Sequence, residues 1–161
     1  MELFGLYDFW IMAEKLEQRI QFHYLVRRFY FPDRLRLKAF LAILLKKEGR
    51  HLDHINYIFC SDDYLLEINK EYLKHDTYTD IITFELSSKG EPLIADVYIS
   101  IERIRENART FGVSFLNELH RVIFHGALHL CGYGDKTNKA RDTMRRLESS
   151  YLDRYFVSRA T

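Results

Sequence analysis

Apolar residues recur in two rhythms along this chain, at every second position in some stretches and at every third or fourth in others. IQFHYLV (20–26) alternates and predicts a strand. After Pro32-Asp33, the run RLKAFLAILLKKEG puts Leu37, Phe40, Leu41, Leu44 and Leu45 on one helical face, with Gly49 as its stop. INYIFCS (55–61) is β-branched and aromatic, a second strand, and Ser61-Asp62 is suited to cap a helix over DYLLEINKEYLK. TDIITFEL (79–86) predicts a third strand, SSKGEP a turn, and LIADVYIS (93–100) a fourth. Ser100 caps ERIRENARTFG, which Gly112 ends. Ser114 opens a further helix running to Gly132, and a last helix spans about 138–155. This order predicts an α+β fold: a single domain with a small mixed β-sheet of about four strands packed with helices.

A length of 161 residues suits one core. Residues 1–19 precede the first clear strand and read as an N-terminal extension outside the core, with Met12 as an alternative start; residues 20–161 form the domain. With 47% apolar and 15% aromatic residues, wholesale disorder is excluded. The 24 basic and 23 acidic residues leave a net charge of +1, so any basic surface must be local. Cys60 and Cys131 form no CxxC pair, which favours a reducing, cytoplasmic setting over a disulfide framework. No apolar run reaches the ~18 residues of a membrane span, and the acidic, interrupted start is a poor signal peptide. Neither a membrane partner nor a small-molecule cofactor is expected.

Chemistry concentrates in HGALHLCGYGD (125–135). Helical positions four apart differ by only about 40° and sit one turn above one another, so His125 and His129 share a face. Gly132 can end the helix and turn the chain, bringing Asp135 back beside the two imidazoles. His125, His129 and Asp135 are then three ligands with an open fourth position, the arrangement of a catalytic zinc site at a helix end and its following loop. One Zn²⁺ per chain is the expectation, although a His₂-carboxylate set also holds iron. Gly126 costs ~1 kcal/mol against alanine in a helix interior, so it requires close approach of another segment or of substrate. The spacing H-x-x-x-H-x-x-G-x-x-D overlays the metzincin peptidase pattern, whose general-base glutamate follows the first histidine. Gly126 stands at that position and accepts no proton, which argues for hydrolysis of something other than a peptide.

The same stretch resembles the signature H-G-x-L-H-L-x-G-Y-x-H of the YbeY family, bacterial metal-dependent endoribonucleases of ribosomal RNA maturation and ribosome quality control. NKEYLKHDTYTDIITFEL (69–86) is similar to the family block N-x-x-Y-R-x-x-D-x-P-T-D-V-L-S-F, LIADVYIS to its G-D-I-x-I-S strand, and Met144 with Glu148 to its M-x-x-x-E. The resemblance runs from about Ile20 to Tyr155. It implies zinc binding at His125 and His129, with Asp135 in place of a third histidine. It also implies cleavage of single-stranded rRNA precursor in association with the small ribosomal subunit. Leu73 stands where the family carries an arginine thought to touch RNA or the reacting phosphate, and Tyr78 and Glu85 are further departures.

Outside the motif, His75 and Asp76 are candidates for the general base or a phosphate contact, although a plain turn organised by Asp76 is the simpler reading of the pair. Asp80 and Asp96 read as structural acceptors, and His120 lies off the face of His125. Lys70, Lys74, Arg121, Lys136 and Lys139 are candidate RNA contacts; without the resemblance they would be an ordinary solvated face. Cys131 reads as a small core residue. A metallopeptidase and a non-catalytic, zinc-stabilised ribosome-assembly factor are the alternative functions.

Overall fold

The computed structural model describes residues 2–157, with side chains from residue 11 onward. In chain order the elements are α1 (Glu2–Arg19), β1 (Ile20–Tyr24), α2 (Arg34–Lys47), β2 (Leu52–Cys60) and α3 (Asp62–Ile68). They continue as β3 (Ile81–Glu85), β4 (Leu93–Ser100), α4 (Ile101–Phe111), α5 (Phe115–Leu130) and α6 (Asn138–Val157). The expected mixed sheet is present, in the order β1-β2-β4-β3. β1, β2 and β4 run parallel, and β3 lies antiparallel to β4 at one edge.

Strand alternation sends Ile55, Tyr57 and Phe59 of β2 to one face of the sheet, together with Ala95, Val97 and Ile99 of β4. There they meet Leu41, Leu44 and Leu45 of α2 and Leu119, Val122 and Ile123 of α5 in the main core. On the other face α3 covers a small cluster of Cys60, Leu65, Ile68 and Ile82. The serine caps form as expected: Ser61, Ser100 and Ser114 accept from the backbone N–H of Tyr64, Arg103 and Asn117. α1 occupies Glu2–Arg19, with Ala13 and Leu16 buried. Among the described residues no helix is long and apolar enough to cross a membrane.

Two local departures from the expected pattern have physical causes. β1 stops at Tyr24 because beyond it only the Leu25 N–H reaches β2, at Phe59 O (2.9 Å). The helix expected over 62–74 is α-helical only to Ile68, and Asn69–Leu73 widens into a π turn. Buried Asn69 donates from Nδ2 to Thr77 O (2.7 Å), and Lys74 takes a left-handed φ of 59° while the His75 N–H bonds to Asn69 O. Such turns re-aim the chain where a helix meets a site.

α5 lies against β3 and β4 at Gly126. A Cβ there would sit 2.6 Å from Ile81 Cδ1, 3.3 Å from Thr83 Cγ2 and 3.4 Å from Val97 Cγ1. The approach of the sheet therefore explains the glycine. We expect Gly126→Val to lower stability by about 1–3 kcal/mol through overpacking, seen as a lower urea midpoint with an unchanged m-value.

Candidate metal centre

The orientation of Gly126 sets the histidines. At about 100° per residue, a helix with position 126 against the sheet projects positions 125 and 129 from one flank, roughly 100° and 60° away. Their rings lie 4.4 Å apart, nearly perpendicular at 89°. His125 Nδ1 donates to Glu148 Oε1 (2.6 Å), and His129 Nδ1 donates to the Tyr133 carbonyl (2.8 Å). With both Nδ1 atoms committed as donors, each neutral ring presents its Nε2 lone pair.

After α5 the chain turns at Gly132, whose φ of 96° suits glycine. Asp135 returns to the histidines, its Oδ2 lying 3.6 Å from His129 Nε2 and 3.9 Å from His125 Nε2. Among the described residues these three form the one cluster able to offer three ligand atoms within 4.8 Å of one another. A tetrahedral zinc with bonds of about 2.0–2.2 Å separates its ligand atoms by roughly 3.3–3.6 Å. The residues present therefore fit such an ion, and their tautomers are set to receive it.

A charge network stands behind His125. Glu148, on α6, also meets Arg121 Nη1 at 3.3 Å. Arg121 in turn donates to both oxygens of buried Glu118, at 2.9 and 2.7 Å, and faces Asp80 at 3.8 Å. Asp80 also accepts from Asn107 Nδ2 (3.2 Å). Burial pushes the Asp80 carboxyl above its ordinary range, and Arg121 opposes that rise. On the other side of the site Arg141 donates to the carbonyls of Asp135 (3.1 Å) and Lys136 (3.3 Å) and to Asn138 Oδ1, fastening the loop that carries Asp135. Burial and neighbouring Glu48 push the Cys131 thiol up to about 12, so it stays protonated near neutrality.

A cleft of about 770 Å³ opens on the ligand cluster, lined by His125, His129, Asp135, Lys136, Leu73, His75 and the stretch of residues 77–83. His75 is exposed within it, whereas Asp76 pairs with Lys70 at 2.8 Å on the open surface. Lys74 donates to Glu71 O, and Lys139 is exposed away from the cleft. Arg121, a candidate RNA contact in the sequence, instead holds three carboxylates within the protein. His120 is buried against Tyr155, 4.8 Å between rings, and takes no part in the cluster. Asp96 is an acceptor for Asn56 Nδ2, as its strand position suggested. The sequence carries one signal for Glu148, the M-x-x-x-E spacing on the last helix, and that spacing does not reveal its bond to His125.

A family model described as Endoribonuclease YbeY matches residues 34–156. The chain belongs to the YbeY endoribonuclease family. A Bacteroides thetaiotaomicron protein named Endoribonuclease YbeY is 51% identical over 104 residues, covering 65% of this chain and 75% of its own. A Cytophaga hutchinsonii protein of the same name is 43% identical over 125 residues, covering 78% and 87%. The solution structure of TM1509 from Thermotoga maritima superposes with a TM-score of 0.60 at 29% identity, covering 86% of this chain and 91% of that one. Three of the departures from the YbeY signature line the cleft: Asp135 in the ligand cluster, Leu73 and Tyr78.

The buried carboxylates make Arg121 a measurable keystone. Asp80 has a folded-state pKa above its unfolded value, so its ionised form costs stability above about pH 4 and nothing below. Removing Arg121 enlarges that cost and leaves Glu118 without its buried partner. Arg121→Ala is expected to destabilise the fold by roughly 3 kcal/mol at pH 7, a deficit that shrinks as pH falls toward 4. Urea unfolding of both proteins across that pH range measures it.

Proposed function

We propose that this chain is a zinc-dependent endoribonuclease, one ion per chain, that cuts single-stranded RNA in the cytoplasm. Its substrate is small-subunit rRNA precursor, and it acts in association with the small ribosomal subunit in rRNA maturation and ribosome quality control. Membership of the YbeY family supports cleavage within RNA. The single observation that carries the metal dependence is the convergence of His125 Nε2, His129 Nε2 and Asp135 Oδ2 at the floor of an open cleft. Two imidazoles and one carboxylate suit zinc, and three protein donors leave one side for water or substrate.

When bound, the ion supplies Lewis-acid activation of the attacking oxygen and of the scissile phosphoryl group. The chain's own residues do the rest. Glu148 and the Tyr133 carbonyl hold the imidazoles in orientation, and Arg141 holds the Asp135 loop. Lys136, next to Asp135, attracts the phosphate backbone into the cleft. His75, exposed on the cleft wall, accepts the proton; Asp76 is tied to Lys70 and is the weaker candidate. Leu73 offers no charge where an arginine would meet phosphate, which makes this a slower enzyme than one with the full signature. The peptidase reading loses its base: position 126 faces the sheet, so even a glutamate there would point into β3.

Zinc-loaded protein is expected to cut an end-labelled single-stranded RNA, with activity removed by a chelator and restored by zinc. The His125→Ala, His129→Ala double variant should lose cutting while keeping its circular dichroism. Equal cutting by both would refute the site, and unfolding of the double variant would favour the assembly-factor role. Leu73→Arg is expected to lower KM for RNA about tenfold by adding one charge-assisted phosphate contact.

A further inference from the structure

His125 and Asp135 border a second cleft as well as the one just described. Of about 540 Å³, it is lined on its far side by Phe111, Val113, Asn117, Arg145 and Ser149, where the end of α4 and the start of α5 meet α6. The ligand cluster therefore stands between two depressions, with the Asp80–Arg121 pair contributing one residue to the wall of each.

The far cleft differs in character from the first. Phe111 is 59% exposed at its rim, with Val113 also exposed beside it. A ring left in water at the end of a helix gains nothing from the core. Arg145 is exposed, and among the described residues it makes no hydrogen bond, ion pair or ring contact. By contrast Arg121 and Arg141 in the same cleft are committed to protein acceptors. An open aromatic face beside a free guanidinium is the pairing that binds single-stranded nucleic acid, the ring stacking a base and the cation meeting its phosphate.

An endonuclease cuts within a strand, so the polymer must leave the reacting phosphate in two directions. We propose that the RNA passes over the ligand cluster and that the segment beyond the scissile phosphate lies in the second cleft, one base stacked on Phe111 and one phosphate held by Arg145. This rests on the endoribonuclease reading and adds a substrate subsite to it.

The test uses full-length, zinc-loaded protein, wild type and the Phe111→Ala, Arg145→Ala double variant, with a fluorescent single-stranded RNA twelve nucleotides long. Both side chains are exposed, and circular dichroism confirms that the variant folds. The double variant is expected to raise KM for the RNA by ten- to a hundredfold. The slope of log affinity against log salt should fall by about 0.7, one phosphate contact on a single strand. A 5-iodouridine in the RNA should crosslink to Phe111 on irradiation. If wild type cuts but the variant matches it in KM and salt slope, the subsite is overturned while the ribonuclease reading stands, and the patch is left to a protein partner. If wild type neither binds nor cuts RNA, both readings fall together.

Discussion

At Gly126 the helix carrying the histidines lies so close to β3 that a methyl group would meet Ile81 Cδ1 at 2.6 Å. Fixing that contact fixes the rotation of α5 about its axis, because each residue follows the last by about 100°. His125 and His129 then have one direction available, along the flank of the helix beside β3, into the cleft. Interiors packed at crystal-like density do not let such a helix roll, so the site inherits its precision from the sheet. The ~1 kcal/mol cost of a helical glycine is offset by this close seating.

Around that fixed helix the charges are arranged for a cation. Asp80, Glu118, Asp135 and Glu148 gather near two imidazoles, with Arg121 as the counter-charge of Asp80, Glu118 and Glu148. Glu148 accepts a hydrogen bond from His125 Nδ1–H and thereby raises the basicity of Nε2 toward a cation. An aspartate as third ligand is chemically coherent, since it brings more negative charge to the ion than a histidine does. Its side chain is also shorter, and the grip of Arg141 on the 135–138 loop keeps it within reach.

Much of this was legible in the sequence because it is local. The four-residue spacing of His125 and His129, Gly132 three residues on, and Asp135 three after that specify their own geometry within one helix end. The serine caps and the alternating strands are local in the same sense, and they set the order of elements that the mixed sheet realises. Non-local partners left no such mark. Glu148 lies 23 residues from His125 and Arg121 27 from Glu148, and only folding brings them into contact. Arg121 accordingly looked like one more surface cation beside a polyanion site. The π turn at Asn69–Leu73 was equally hidden, since it depends on a buried amide reaching Thr77. Gly126 signals a close approach by its helical cost alone, yet the sequence does not distinguish substrate from sheet as the neighbour.

In the proposed site His125, His129 and Asp135 alone would hold the ion, with the fourth side facing the cleft. Zinc K-edge X-ray absorption on the stoichiometrically loaded protein tests it most directly. We expect two imidazole nitrogens near 2.0 Å and oxygens at about 2.0–2.2 Å around the metal, with one imidazole lost in His129→Ala. A sulfur shell near 2.3 Å, which would recruit Cys131, or a shell unchanged by that substitution would contradict it.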